Sequence, residues 1–148
     1  MTSGIVASYV VVSVATLGIV VGCVLLHYEA LSKLTGLLKR IHIRPRPRIL
    51  VMILSILLFH VAEIWVFGIG YWLLTIDPAH GQLLGPHAIG LLDYVYYSAV
   101  CYTTLGLGDL TPVGNIRLLT GMESLTGFVL IGWSVSFTYL EMDRFWRG

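Results

Sequence analysis

The chain has 148 residues, 57% of them hydrophobic and only 11% charged, with a mean hydropathy of +0.86 and a formal net charge of +1. Soluble domains carry about 25% charged residues, so the composition excludes an ordinary soluble domain and points to an integral membrane protein. No basic stripe interleaved with aromatics is present, and nucleic acid is not expected as a partner.

Ile5 to Leu26 is an uncharged apolar run of 22 residues. As a helix it would be about 33 Å long, enough to cross a hydrocarbon core of about 30 Å. No Lys or Arg precedes it and no small-residue cleavage site closes it, so residues 1–27 read as a permanent first span and not as a signal peptide. Gly18 and Gly22 within it are either ordinary membrane-helix glycines or a small-xxx-small pair suited to close approach by another helix. Cys23 and Cys101 each sit in an apolar stretch without a partner at metal-ligand spacing and read as small buried hydrophobes.

Residues 28–48 form a basic connector that holds Lys33, Lys39, Arg40, Arg44, Arg46 and Arg48, six of the nine Lys and Arg in the chain. The positive-inside rule places this connector in the cytoplasm. Leu31, Leu34, Leu37, Leu38 and Ile41 recur at helical spacing, which predicts an amphipathic helix lying in the membrane interface and broken by Pro45 and Pro47. The cluster Lys39, Arg40, Arg44, Arg46 and Arg48 is either a topology signal alone or a contact for anionic lipid headgroups.

Residues 49–76 are the second span, with Tyr71 and Trp72 as an interfacial belt and Asp77-Pro78 as the stop. Ala79 to Gly90 carries no Lys or Arg, as a short outer loop should. Leu92 to Thr103 is 12 residues, too short to span, and fits a re-entrant helix surrounded by protein. Residues 116–140 are the last span, and 141–148 form a short tail on the inside with two further cations. Charge bias alone puts the N-terminus outside, the connector and the C-terminus inside, and the loop after the re-entrant helix outside.

That loop reads Thr103-Thr104-Leu105-Gly106-Leu107-Gly108-Asp109, behind the aromatic run Tyr94-Val95-Tyr96-Tyr97. It resembles the pore-loop signature T-V-G-Y-G-D of potassium channels, with Leu105 at the Val and Leu107 at the Tyr. The resemblance covers residues 49–140 and extends into the last span. There Arg117 and Gly127 keep the ten-residue interval between the Arg that opens the inner helix of simple bacterial potassium channels and the hinge Gly. The interval from Asp109 to Arg117 is one residue shorter than in that pattern.

The resemblance implies an all-α membrane protein with three transmembrane helices per subunit. A re-entrant pore helix (92–103) and a selectivity filter (104–108) would lie between an outer helix (49–76) and an inner helix (116–140), and four subunits would assemble as a homotetramer. K+ would be held at Thr104, Leu105, Gly106, Leu107 and Gly108 by backbone carbonyls and the Thr hydroxyl, which replace its hydration shell. Side chains at 105 and 107 do not coordinate, so the Leu substitutions leave the oxygens in place. Asp109 would make the outer mouth negative. Phe128 and Ile131 would face the cavity below the filter, and Gly127 would be either the hinge or a helix-packing glycine. No organic cofactor is implied, and the expected location is the plasma membrane, which is the inner membrane in a bacterial cell. Leu107 has no hydroxyl with which to brace the filter, so Tyr96 and Tyr97 must find other partners, and Asp109 has no carboxylate partner at Val100.

Glu63, His60 and Glu123 are ionisable groups inside spans and therefore candidates for function. Their helix positions put both carboxylates at the depth of the filter, where they either brace the pore helix or link gating to protons, with His60 on the face of Glu63. His27, His42, His80 and His87 are expected on loops on opposite sides of the membrane and make no metal site. No H-E-x-x-H, no G-x-S-x-G and no paired Asp on a span is present, so an enzyme is not expected. The alternatives to a potassium-selective channel are a non-selective cation channel and a non-conducting pore-like subunit.

Overall fold

The computed structural model describes residues 2–40, 45–86 and 89–146. Four helices account for most of them: α1 (Thr2–Arg40), α2 (Pro45–Leu74), α3 (Leu91–Tyr102) and α4 (Arg117–Trp146). Three of these, α1, α2 and α4, are long and apolar enough to cross a membrane. The short α3 packs against both α2 and α4.

The first helix differs from its expected limits. It does not end near Leu26 but runs unbroken for 39 residues. Nothing between His27 and Arg40 interrupts it except Gly36, and the apolar spacing continues through that stretch. Leu31, Leu34 and Leu38, expected to lie along the membrane interface, are instead buried with Met52 and Ile56 of α2. Pro45 and Pro47 do not break a connector helix; they open α2. In the first turn of a helix the backbone N–H has no intrahelical partner, so Pro is tolerated there.

A second, larger core unites the four helices at the other end, around Phe67, Tyr71, Tyr97, Tyr102, Leu119 and Leu130, with Val12 and Cys23 from α1. Two glycines let α3 approach its neighbours. A Cβ on Gly68 of α2 would stand 2.8 Å from the Cα of Val95, and one on Gly127 of α4 would stand 2.1 Å from the carbonyl oxygen of Tyr102. Any side chain at either place would push the short helix away.

Outside the helices the chain forms a small antiparallel hairpin-like pair, β1 (Gln82–Leu84) and β2 (Thr111–Val113), with Leu83 opposite Pro112. Each strand has only three residues, too few for an alternating pattern to be visible in sequence. This pair clasps the two ends of the α3 segment. The start of α1 is tied to the same region: Ser8 Oγ donates to the carbonyl of Ala79 (2.8 Å) and accepts from Asn115 Nδ2 (2.8 Å). At the head of α3, Asp93 accepts from the backbone N–H of Gly90 at 2.8 Å, satisfying a donor that the helix leaves free.

Candidate functional site

The loop from Thr103 to Asp109 hangs from the C-terminal end of α3. Thr104 N donates to the carbonyl of Cys101 (2.9 Å), and the N–H groups of Leu105 and Gly106 both reach the carbonyl of Val100 (3.0 and 3.3 Å). Beyond that turn the backbone alternates in hand. Thr104, Gly106 and Gly108 have φ of 59°, 61° and 78°, while Leu105 and Leu107 between them stay negative. Alternating left- and right-handed residues turn successive peptide planes so that consecutive carbonyls face one side, unlike a strand, where they alternate. Glycine reaches positive φ without a Cβ penalty; Thr104 does so as the one non-glycine residue among those described.

Every residue from Thr103 to Asp109 is exposed in the single chain. That includes the side chains of Leu105 and Leu107, at 63% and 59%. Phe128 and Ile131 share a hollow with Thr103 and Thr104 at the start of the loop. Phe128 is largely exposed, whereas Ile131 also packs against the main core. Gly127 faces the other way, against Tyr102.

The hydroxyls of the two tyrosines have separate partners. Tyr96 donates to Asp109 Oδ2 at 2.8 Å, so the carboxylate at the end of the loop is tethered to α3 by a phenol. This hydrogen bond also raises the Tyr96 phenol above its ordinary range. Tyr97 Oη lies 3.0 Å from Thr120 Oγ1 on α4, and its ring meets that of Tyr71 edge-on.

Two buried carboxylates stand behind α3, one turn apart on the same face. Glu123 of α4 accepts from Ser98 Oγ and from Tyr71 Oη (2.7 Å), and Ser98 also reaches the carbonyl of Ile64 (2.8 Å). Glu63 of α2 accepts from Tyr102 Oη, from His60 Nδ1 (3.1 Å) and from His27 Nδ1 (2.8 Å). Neither glutamate has any exposed surface. Ser98 and Tyr102 are four residues apart, so the two carboxylates hold α3 at successive turns of one face.

His27 corrects the sequence reading. It does not lie on a loop; it sits inside α1, fully buried, with Nε2 3.2 Å from Ser134 Oγ of α4. Its position was hidden because the apolar run appears to stop at Leu26, and only the continued helix carries the ring inward. Tyr71, expected with Trp72 in an interfacial belt, is instead fully buried with its hydroxyl on Glu123. The sequence reading does not single out Tyr102, Ser98, Thr120 or Ser134; the i, i+4 pair of hydroxyls on α3 is the available signal. His80 is half-buried with Nδ1 3.1 Å from the carbonyl of Leu74. Among the basic residues expected at headgroups, Arg40 closes α1 and Arg48 lies in the first turn of α2. Arg44, with His42 and His87 elsewhere, lies outside the described residues, as do the side chains of Lys39 and Arg46.

Residues 48–140 match a family model described as "Ion channel". No curated protein matches the chain, and no solved structure does.

Proposed function

From a chain that belongs to the ion-channel family, we propose a potassium-selective channel in which four copies surround one axis and K+ passes down its gradient. The family supports a multi-pass membrane channel in place of an enzyme. The observation that supports the finer reading is the alternation of positive φ at Thr104, Gly106 and Gly108, a backbone pattern suited to aiming the carbonyls of residues 104–108 to one side. Such a row of oxygens can replace the hydration shell of an alkali cation. One loop supplies only a quarter of each coordination cage, and the exposed Leu105 and Leu107 need neighbours to cover them, hence a homotetramer. Phe128 and Ile131 then line the vestibule below, and Asp109 concentrates cations at the outer mouth. The N-terminus lies outside and the chain works in the plasma membrane, with Lys39, Arg40, Arg44, Arg46 and Arg48 at the level of anionic headgroups.

Bracing of this loop falls to Tyr96, Tyr97, Glu63, His60 and Glu123, through the contacts described above. A non-selective cation pore is the second reading, favoured by one observation: Leu107 has no hydroxyl and makes no polar side-chain contact to hold the loop's diameter. The reversal potential of purified protein in planar bilayers, with K+ on one side and Na+ on the other, decides between them. Reversal near the potassium equilibrium potential is expected. Current that reverses near zero establishes the non-selective pore, and no current under any condition leaves a non-conducting subunit.

A further inference from the structure

His27, His60 and Glu63 come from two helices, α1 and α2, and bring three ligand atoms within 4.8 Å of one another. Two imidazoles point the same atom, Nδ1, at one carboxylate, at 2.8 and 3.1 Å. Tyr102 Oη stands 2.9 Å from His60 Nδ1 and completes a set of four donors. We propose that this cluster is a binding site for a divalent first-row transition metal ion of the Zn2+ class.

Four ligands about 2.0–2.1 Å from a tetrahedral Zn2+ stand roughly 3.3 Å from one another. The two histidine–carboxylate separations and the His60–Tyr102 separation lie within about half an ångström of that, and the shorter Tyr102–Glu63 contact must open further to admit the ion. Two neutral imidazoles and one carboxylate are a donor set suited to Zn2+, and its charge offsets the anionic Glu63, which has no exposed surface. The surroundings orient the ligands as well. With Nδ1 on the metal, His27 keeps its proton on Nε2, and Ser134 Oγ at 3.2 Å accepts it. Such outer partners fix the ring and tautomer of a ligating histidine. His60 and Ser134 also border a groove between α2 and α4, which gives an ion a route inward. Bound there, the ion would join α1 to α2 and to the last residue of α3, two residues ahead of Thr104.

The site does not depend on what the pore conducts, and its test does not use current. Purified full-length protein, stripped with a chelator, is titrated with Zn2+ and with Co2+. One ion per chain is expected, with the intense visible absorption of tetrahedral Co2+. His27→Ala and His60→Ala should abolish that band. Ser134→Ala, which keeps every ligand, should weaken binding about 10- to 100-fold, and His80→Ala should leave it unchanged. If either cluster-histidine variant does not fold, Ser134→Ala and the wild-type cobalt spectrum carry the decision. No binding at micromolar free metal, an octahedral spectrum, or affinity that Ser134→Ala leaves untouched overturns the proposal.

Discussion

Glu123 accepts hydrogen bonds from α2 and α3 while lying on α4, with none of its own surface exposed. Its truncation would take away one acceptor from each of Tyr71 and Ser98, leaving Tyr71 the longer contact to Thr120 Oγ1 (3.3 Å) and Ser98 the carbonyl of Ile64 (2.8 Å), beside a new cavity. Two lost hydrogen bonds at about 0.5–1.5 kcal/mol each, together with the cavity, should lower the thermal midpoint sharply in Glu123→Ala. Glu123→Gln, which keeps the volume and one acceptor, should lose less, and thermal unfolding in detergent ranks the two. Gly127 makes a second residue-level test. Gly127→Ala forces a methyl against the carbonyl of Tyr102 and should destabilise by about 1–3 kcal/mol, whereas Gly121→Ala, which meets nothing within 4 Å, should be close to neutral. Equal unfolding midpoints for the two alanine variants would return Gly127 to a purely hinge role.

At the scale of elements, the sequence carried α2, α3 and the start of α4 to within a few residues, because each is an apolar run bounded by Pro, Gly or a charge, whereas α4 runs on beyond its expected end at 140 to Trp146, through the stretch expected as a tail. The loop that α3 presents was legible for a different reason: its residues demand unusual backbone angles, and glycine at alternate positions records that demand. What could not be read was pairing across elements. The partners of Glu63 include His27, 36 residues away, and no local pattern specifies such a distance. The same gap concealed the union of α1 with the pore segment, which the continuous helix and its buried Leu31, Leu34 and Leu38 establish. A chain of residues 45–148 alone would deprive Glu63 of its α1 partner. A hydrogen bond to a charged group is worth about 1.5–3 kcal/mol, so this shortened chain should purify poorly, and adding Glu63→Gln should recover part of the monodisperse yield. Undiminished stability of the shortened chain would mean that α1 contributes nothing to the fold of the rest.

For the whole molecule, the exposed loop sets the expectation that a single chain is not the working unit. The native mass in mild detergent, corrected for bound detergent, should be four times 16.4 kDa. If it is, four copies of Asp109 ring one mouth, and their field acts over roughly a Debye length, about 10 Å at 0.1 M salt. Asp109→Asn should therefore reduce single-channel conductance several-fold at low salt, with the difference fading as salt rises. An unchanged conductance in dilute salt would place that carboxylate away from the ion path.

The length of α1 also bears on the shape of the molecule. Its apolar span, Gly4–Leu38, has 35 residues, about 52 Å of helix against a hydrocarbon thickness of about 30 Å. Even a tilt of about 40°, the steep end of what membrane helices adopt, leaves about 10 Å over. At the N-terminal end Ser8 is fastened to Ala79 and Asn115; at the far end the exposed Glu29–Lys33 pair appears on α1, and Met52, Ile56, Phe137 and Met142 keep α2 and α4 packed alongside. A chain held in a core of that thickness would keep α1, α2 and α4 packed together through the headgroup zone on the side opposite the loop, where Arg40 closes α1. Blockers applied from that side would meet this sleeve of helices before they met the vestibule.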